Sequence, residues 1–222
     1  GMYKNEISDY KYYEIRRLRE KVIQYGSEQY QTFPWRTPEH KWHGLLAEVL
    51  LQRTRANNVV PVYNRLVELY PAPEDLASSK LSNIEKLLYP LGLKWRAKFV
   101  QSLASSLIIL QSTPENLEEL LLLPGVGPYA ANAFLAFHTD KQAVLIDSNT
   151  ARFICRFTGG KYHGEVRKEK WLIEFINRLT PRDNSKIFNL SFLDFSMLVC
   201  KSTKPECKEC PFQRYHCLYE NK

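Results

Sequence analysis

Apolar residues recur with helical spacing through almost all of this 222-residue chain, which excludes folds built on a β-sheet. The only strand-like stretch, Ala143 to Ile146, is too short to found a sheet. Proline and glycine turns separate the helical segments from one another. We therefore predict an all-α fold.

Several helix ends are predicted from glycine and proline. The amphipathic segment 12–25 is expected to stop at Gly26, because glycine commonly ends helices. Pro61 is expected to separate two helices, since proline lacks the N–H that a helix interior requires. Other helices are predicted at 41–53, 117–122, 128–137, 149–157, 168–178 and 185–199.

The composition is that of an ordinary soluble globular protein, with 44% hydrophobic and 25% charged residues. It argues against disorder, and the apolar runs are too short to cross a bilayer. The formal net charge of +7 favours a polyanionic partner such as nucleic acid. Because no apolar leader is present, we expect a cytoplasmic protein, associated with the nucleoid if the source is prokaryotic. We also expect a monomer.

Four of the five cysteines cluster with the spacing C-x6-C-x2-C-x6-C, as Cys200, Cys207, Cys210 and Cys217. In a reducing compartment this clustering indicates a metal or iron–sulfur site rather than two disulfides. Zinc and a [4Fe-4S] cluster both accept four thiolates, so the residues alone leave both open. Cys155 lies among apolar residues of a predicted helix and is interpreted as a core residue.

A Pro-Gly-x-Gly turn lies between an apolar segment and an alanine-rich one, at residues 124–127. Its two glycines allow a tight turn and can present backbone N–H groups to a phosphate at a helix N-terminus. A plain helix–helix turn is the alternative. The basic, cysteine-rich setting favours phosphate binding, which we assign to Gly125, Val126 and Gly127.

Glu48 and Gln52 form the only polar stripe on an otherwise apolar predicted helix. At about 100° per residue the two side chains lie about 40° apart on the helix wheel. Because the rest of the helix is apolar and therefore buried, the stripe must face a partner, solvent or a cleft. A solvated face is the alternative to a functional one.

Together these segments resemble the helix-hairpin-helix (HhH-GPD) DNA glycosylases that carry a C-terminal [4Fe-4S] cluster. This superfamily includes endonuclease III, the mismatch adenine glycosylase MutY and thymine-mismatch glycosylases. The resemblance rests on Leu123 to Phe137, on the stretch Val144 to Asn149 and on the terminal cysteines, and it extends from Phe33 to Cys217.

The resemblance implies a two-lobed fold with the DNA cleft between the lobes. One lobe would be a six-helix barrel domain at 31–141, which contains the hairpin. The other would be an iron–sulfur cluster domain formed by 1–30 and 142–222. Double-stranded DNA with a mismatched base is the implied partner.

Asp147 matches the essential aspartate of that family. The resemblance implies that it stabilises the oxocarbenium-like sugar and positions or activates the nucleophile as the N-glycosidic bond breaks. Its position before Ser148 and Asn149 also suits a helix N-cap. Both roles are compatible, because a helix N-terminus favours a negative charge.

Tyr129 occupies the position where bifunctional members carry the lysine that forms a Schiff base with the sugar. No lysine lies between Leu123 and Asp140. The resemblance therefore implies base removal with little or no strand cleavage, and it places Tyr129 at the mouth of the base pocket. A half-buried helix residue is the alternative for Tyr129.

In the MutY-like branch, the glutamate that matches Glu48 protonates the departing base, and a carboxyl in a partly apolar pocket suits that role. The resemblance places Gln52 and Arg53 where side chains wedge into the stack vacated by the flipped base, and it groups Asn149 with them. His138 stands where a glycine is common in the family, and no role is predicted for it.

For the cysteines, the resemblance selects a [4Fe-4S] cluster held by all four. Lys201, Lys204 and Lys208 lie between the ligands and are expected to contact phosphates. One departure concerns Cys217. Six residues separate it from Cys210, where the family usually has five, so one extra loop residue must be absorbed.

The substrate is predicted from smaller differences. The chain ends five residues after Cys217, without the further domain by which MutY-type enzymes recognise 8-oxoguanine. Ser148 and Arg53 also depart from that branch and favour the thymine-mismatch glycosylases. We therefore expect a monofunctional glycosylase of base excision repair that removes thymine or uracil opposite guanine.

Three alternatives remain: an adenine glycosylase, a bifunctional lyase and a non-catalytic iron–sulfur DNA-binding protein. The lyase is disfavoured by Tyr129. The binding protein would explain the charge and the cysteines, but it gives no reason for Glu48 and Asp147 together.

Overall fold

The computed structural model describes residues 10–28, 31–92, 94–212 and 217–219. Within these ranges every regular element is a helix and no strand occurs, which confirms the all-α prediction. The α-helices are α1 (Tyr12–Glu28), α2 (Lys41–Leu51), α3 (Ala56–Leu69), α4 (Pro73–Ala77), α5 (Leu81–Leu88), α6 (Arg96–Leu110), α7 (Leu117–Leu121), α8 (Pro128–His138), α9 (Ser148–Thr158), α10 (Lys170–Leu179) and α11 (Ser185–Leu198). Single 3₁₀ turns occur at Pro34–Arg36, Tyr89–Leu91 and Val166–Lys168. None of the described helices combines the length and the apolar character that a membrane crossing needs.

The helices divide between two units. The terminal unit comprises residues 1–31 and 142–222, and the central unit comprises residues 32–141. Helices α1 and α9 to α11 belong to the terminal unit, and α2 to α8 belong to the central unit. The roles of cluster domain and six-helix barrel domain stay predictions for these two parts.

The core of the terminal unit is aromatic. Its phenylalanine rings meet mostly edge to face or tilted, as for Phe153 and Phe195, whose centroids lie 4.9 Å apart at 88°. Burying one such ring stabilises the fold by about 1.5–3 kcal/mol relative to leaving it exposed. The phenylalanines with at most 2% exposure in this core are Phe153, Phe175, Phe188, Phe192, Phe195 and Phe212.

Helix α1 continues through Gly26 to Glu28, so the predicted helix end at Gly26 is wrong. Gly26 is buried against α11, and a Cβ at this position would lie only 2.3 Å from Cβ of Ser191. The glycine is therefore present because two helix backbones approach closely here, and a packing contact of this kind leaves the helix intact.

In the central unit, α2 is buried from Trp42 to Leu50 and packs against α8. Helix α3 continues through Pro61, so the prediction that Pro61 separates two helices is wrong. Pro61 has no N–H, so the carbonyl of Asn57 loses its helical hydrogen bond. Both residues lie at the surface. Water can satisfy that carbonyl, and the helix tolerates the proline.

Candidate active site

A helix-hairpin-helix motif joins α7 to α8 in the central unit. Gly125 has a φ of +75°, a left-handed conformation that disfavours residues with a Cβ. Gly127 is the N-cap of α8, and Pro128 follows in the first turn. The N–H groups of both glycines donate no hydrogen bond within the described part of the chain, whereas the Val126 N–H donates to Leu123 O at 3.2 Å. The turn therefore offers two backbone donors to an anion, while Val126, whose side chain is buried, shapes the turn.

Gln52 connects α2 to this hairpin. Its Nε2 donates to the carbonyls of Val49 and Gly125, both at 3.1 Å. A Cβ at Gly127 would lie 3.1 Å from Oε1 of Gln52, so the amide fits closely against the turn. The insertion of Gln52 into a base stack stays a prediction.

A buried guanidinium caps the C-terminus of α2. Arg96 donates to the carbonyls of Leu50 and Gln52, which a helix end otherwise leaves without partners. Burial lowers the pKa of Arg96, and nearby Arg53 adds to this effect. The helix ends at Leu51, two residues before its predicted end, and Arg53 is exposed with a φ of +60°. This conformation costs a non-glycine residue of order 1 kcal/mol or more.

Glu48 lies in the middle of α2 with its side chain only 2% exposed. A solvated face is therefore excluded. Its Oε1 lies 3.3 Å from Nε2 of His138, the last residue of α8. The imidazole stacks on Phe134 with ring centroids 5.7 Å apart. It also covers Gly44, where a Cβ would come within 2.5 Å of Nδ1 of His138.

Tyr129 is half-buried in the first turn of α8. No lysine lies in the hairpin or in α8, so this part of the molecule holds no amine that could form a Schiff base. The phenol of Tyr129 can stack on a base or form a hydrogen bond with it.

Asp147 is the N-cap of α9 in the terminal unit. Its Oδ1 accepts hydrogen bonds from Thr150 N at 2.8 Å and from Thr150 Oγ1 at 3.0 Å. Its Oδ2 accepts one from Asn149 Nδ2 at 3.3 Å. These bonds fix the orientation of the carboxylate at a helix N-terminus, where a negative charge is favourable.

Asn149 continues this network to Arg152. Oδ1 of Asn149 accepts from Nη1 of Arg152 at 3.1 Å, and Nε of Arg152 donates to Cys200 O at 2.9 Å. Burial lowers the pKa of Arg152, and the nearby Cys200 acts in the opposite direction. A chain of hydrogen bonds thus runs from Asp147 to the first of the clustered cysteines.

The cysteines of the C-terminal cluster form no disulfide. Nη1 of Arg156 donates to Sγ of Cys200 at 3.4 Å, and the Phe212 N–H donates to Sγ of Cys210 at the same distance. Burial raises the pKa of the Cys210 thiol to about 11; the Phe212 N–H opposes this, and the other three thiols add to the rise. Negative charge on any of the other three thiols would therefore disfavour ionisation of Cys210.

The donor set of these cysteines has the chemistry of a thiolate-bound cluster. Four thiols lie in one unit, and two of them accept N–H hydrogen bonds of the kind that stabilise charge on cluster sulfurs. Within the described residues, no group of three or more His, Cys, Asp or Glu side chains is arranged to hold a metal ion. Residues 213–216, which precede Cys217, lie outside the described residues. Cys155 packs against the aromatic core, and burial raises the pKa of its thiol to about 11.

The three lysines near the cysteines differ in their surroundings. Lys201 forms an ion pair with Glu206 at 2.8 Å. Lys204 is exposed, with a φ of +49°, and Lys208 is exposed as well. Phosphate contact by these side chains stays a prediction.

Sequence reasoning assigned no role to four residues that organise these sites: His138, Arg96, Arg152 and Arg156. Arg152 and Arg156 have a readable signal, because they lie four residues apart, and so on one face, in the helix that follows Asp147. His138 and Arg96 have none. Their partners are distant in the sequence and become neighbours only through helix packing.

The chain is similar to known DNA repair proteins in sequence and in structure. Residues 46–175 match the family model of the HhH-GPD superfamily base excision DNA repair protein. The thymine/uracil-DNA glycosylase of Methanothermobacter thermautotrophicus is 32% identical over 202 residues, which cover 90% of this chain and 91% of that protein. The endonuclease III of Thermotoga maritima is also 32% identical, over 90% of both chains. The solved structure of a thermostable thymine-DNA glycosylase matches with a TM-score of 0.85 and 30% identity, over 94% of this chain and 97% of that one.

Proposed function

The chain belongs to the HhH-GPD superfamily of base excision DNA repair proteins, and we propose that it is a monofunctional mismatch glycosylase. That it is a DNA glycosylase follows from the family and from relatives that align with nine-tenths of the chain. The proposed substrate is thymine or uracil opposite guanine in double-stranded DNA. Support for it comes from the relative named as a thymine/uracil-DNA glycosylase.

The monofunctional reaction is proposed because the hairpin contains no lysine. Strand cleavage by the lyase route needs an amine that attacks the sugar and forms a Schiff base. Tyr129 stands in the first turn of α8, and its phenol cannot form that intermediate. Water is then the nucleophile that adds to C1′ of the deoxyribose.

Asp147 is proposed to stabilise the sugar. As the bond between C1′ and the base breaks, positive charge develops on the sugar ring, and a carboxylate held in a fixed orientation lowers the energy of that state. The hydrogen bonds from Thr150 and Asn149 supply this orientation before any substrate arrives.

Glu48 is proposed to donate a proton to the departing base. His138 occupies Oε1, and no hydrogen bond to Oε2 occurs within the described part of the chain. The proton on Oε2 would pass to the base as the C1′ bond breaks, leaving Glu48 as a carboxylate.

Cys200, Cys207, Cys210 and Cys217 are proposed to hold a [4Fe-4S] cluster. When bound, such a cluster would fix the loops between the cysteines through four iron–sulfur bonds. The N–H donors of Arg156 and Phe212 would then face ligand sulfurs. Iron and sulfide analysis together with the visible absorption spectrum tests this assignment, and stoichiometric zinc without iron would contradict it.

The substrate proposal is tested on a panel of duplexes that carry one mispair each. Purified protein is incubated with G·T, G·U, G·A and 8-oxoguanine·A duplexes, and abasic sites are then cleaved with alkali. Product from G·T or G·U is expected, without product before the alkali step. Product from the adenine mispairs alone would establish the adenine alternative, and no product from any duplex would contradict the glycosylase chemistry. Trapping of the protein on DNA by borohydride would contradict the monofunctional reaction.

Replacing Asp147 by asparagine is expected to abolish base excision while DNA binding is retained. The amide keeps the shape of the N-cap but carries no charge to oppose the positive sugar. A loss of at least about 100-fold in the single-turnover rate is expected. The matched control is Asp140→Asn, which changes an exposed aspartate in the connection from α8 to α9 and should leave the rate unchanged. An Asp147→Asn protein with the wild-type rate would exclude this role.

A further inference from the structure

Glu48 and His138 form a buried pair in which Oε1 of Glu48 lies at hydrogen-bond distance from Nε2 of His138. We propose that His138 is a positioning residue for Glu48: it donates Nε2–H to Oε1 and leaves the transferable proton on Oε2. This inference rests on the proposed function, in which Glu48 protonates the leaving base.

The surroundings hold the imidazole in one place. Phe134, one turn earlier on α8, stacks on the ring at an interplanar angle of 19°. On the opposite helix, Gly44 lies one turn before Glu48, and its missing side chain provides the space that the ring fills. Because the side chains of His138 and Glu48 are 3% and 2% exposed, their hydrogen bond is shielded from bulk water.

Proton transfer strengthens this hydrogen bond. Before the reaction, neutral His138 donates to the uncharged carboxyl of Glu48. When the proton on Oε2 passes to the base, the carboxyl becomes a carboxylate, and the N–H bond from His138 becomes charge-assisted. A hydrogen bond that is stronger after transfer than before it lowers the barrier to that transfer.

The other titratable side chains on the packed elements are engaged elsewhere or face solvent. His43, on α2, bonds Tyr70 O at 2.9 Å, and burial lowers its pKa. Burial raises the pKa of Tyr63, on α3, to about 12, above the range of the assay. The remaining charged or titratable groups lie on α2, α3, α7, α8 and the 3₁₀ turn before α2. Lys41 pairs with Glu115, Arg65 pairs with Glu68, and Arg36 lies over Phe33. Glu118 and Glu119 are exposed, and Tyr129 is half-buried. Of these groups, His138 is the one that the structure places at hydrogen-bond distance from Glu48.

The first test measures the single-turnover excision rates of His138→Phe and His138→Gln. Phenylalanine keeps the stacking ring but removes the donor, so the rate should fall about 10- to 100-fold. Glutamine can donate to Oε1 and should restore part of the rate. DNA affinity should stay within about twofold, and a wild-type rate in His138→Phe would overturn the proposal.

A matched control and a double mutant separate positioning from simple packing. His43→Gln alters another buried histidine of the same unit and should leave the excision rate unchanged. If His138 acts through Glu48, His138→Phe should cost little further activity in a Glu48→Gln background. An equal loss in both backgrounds would show that His138 acts independently of Glu48, and it would overturn the proposal.

The decisive test needs no activity. In protein with ¹⁵N-labelled histidine, the ring signals of His138 are identified by their absence in His138→Phe. The Nε2–H tautomer is expected in the wild type, with a ring shift that changes in Glu48→Gln. The Nδ1–H tautomer, or identical signals in both proteins, would overturn the inference even if excision proceeds. If the expected tautomer is found but no excision occurs, the proposed function is contradicted and the hydrogen bond from His138 to Glu48 is not.

Discussion

Arg156 joins several parts of the terminal unit through one side chain. Its guanidinium donates to Cys200 Sγ, to Lys201 O at 2.7 Å and to Ser202 O at 3.1 Å. It also lies over the ring of Tyr219, 4.6 Å from the centroid. The backbone that follows the first clustered cysteine therefore depends on a residue of α9.

Replacing Arg156 by methionine is expected to destabilise the protein by about 2 kcal/mol, because carbonyls and a sulfur lose a charged donor. Thermal unfolding and iron content per chain are the measurements, and both should fall. Arg16→Met is the matched control, since Arg16 forms an exposed pair with Glu20 on α1 and should contribute less than about 1 kcal/mol. Equal effects of the two changes would contradict the role of Arg156.

At the scale of residues, the sequence predicts what local chemistry determines. Asp147 has the N-cap position that its neighbours indicate, because a cap depends on the next three residues. The partner of Glu48 could not be predicted. His138 reaches it across two packed helices, 90 residues apart in the sequence, and the space for its ring is made by the absent side chain of Gly44.

At the scale of elements, the contact between α1 and α11 depends on the absence of a side chain at Gly26. Replacing Gly26 by alanine should push the helices apart, because its Cβ would meet Cα and Cβ of Ser191 at 2.4 and 2.3 Å. A loss of about 1–3 kcal/mol in unfolding free energy is expected.

Urea denaturation measures this loss, with Ser27→Ala as the control on an exposed neighbouring position of α1. The control should change the unfolding free energy by no more than about 0.5 kcal/mol. If Gly26→Ala stabilised the protein, as a glycine-to-alanine change does in an exposed helix, the close approach would be refuted.

The elements themselves were predictable, and their ends were less so. Apolar periodicity identified α2, α8, α9 and α11 within two residues at each end, because each buries a continuous stripe. The predictions at Gly26 and Pro61 were wrong. They rested on the rule that glycine and proline are unfavourable inside a helix. In the folded chain, Gly26 packs against Ser191 and Pro61 lies at the surface, so neither residue interrupts its helix.

At the scale of the whole molecule, the formal charge of +7 predicts that DNA affinity falls with salt. The logarithm of the DNA association constant falls with the logarithm of the salt concentration, and Lys204→Gln should reduce that slope by about 0.9, the value for one phosphate contact. Lys201→Gln should reduce it less, because Lys201 is already paired with Glu206. Equal slopes for Lys204→Gln and the wild type, in titrations between low and physiological salt, would remove Lys204 from the interface.

The pairing of α1 with the last helices also determines the order in which the protein can assemble. Arg19 donates to the carbonyl of Leu179, 160 residues further along the chain. At typical rates of synthesis, Leu179 is made about 10–30 s after Arg19. During this interval Ile15, Leu18 and Val22, all buried in the finished protein, have no α10 or α11 to cover them. Helix α1 is therefore made before its packing partners, and it can be buried against them only after the central unit has been synthesised.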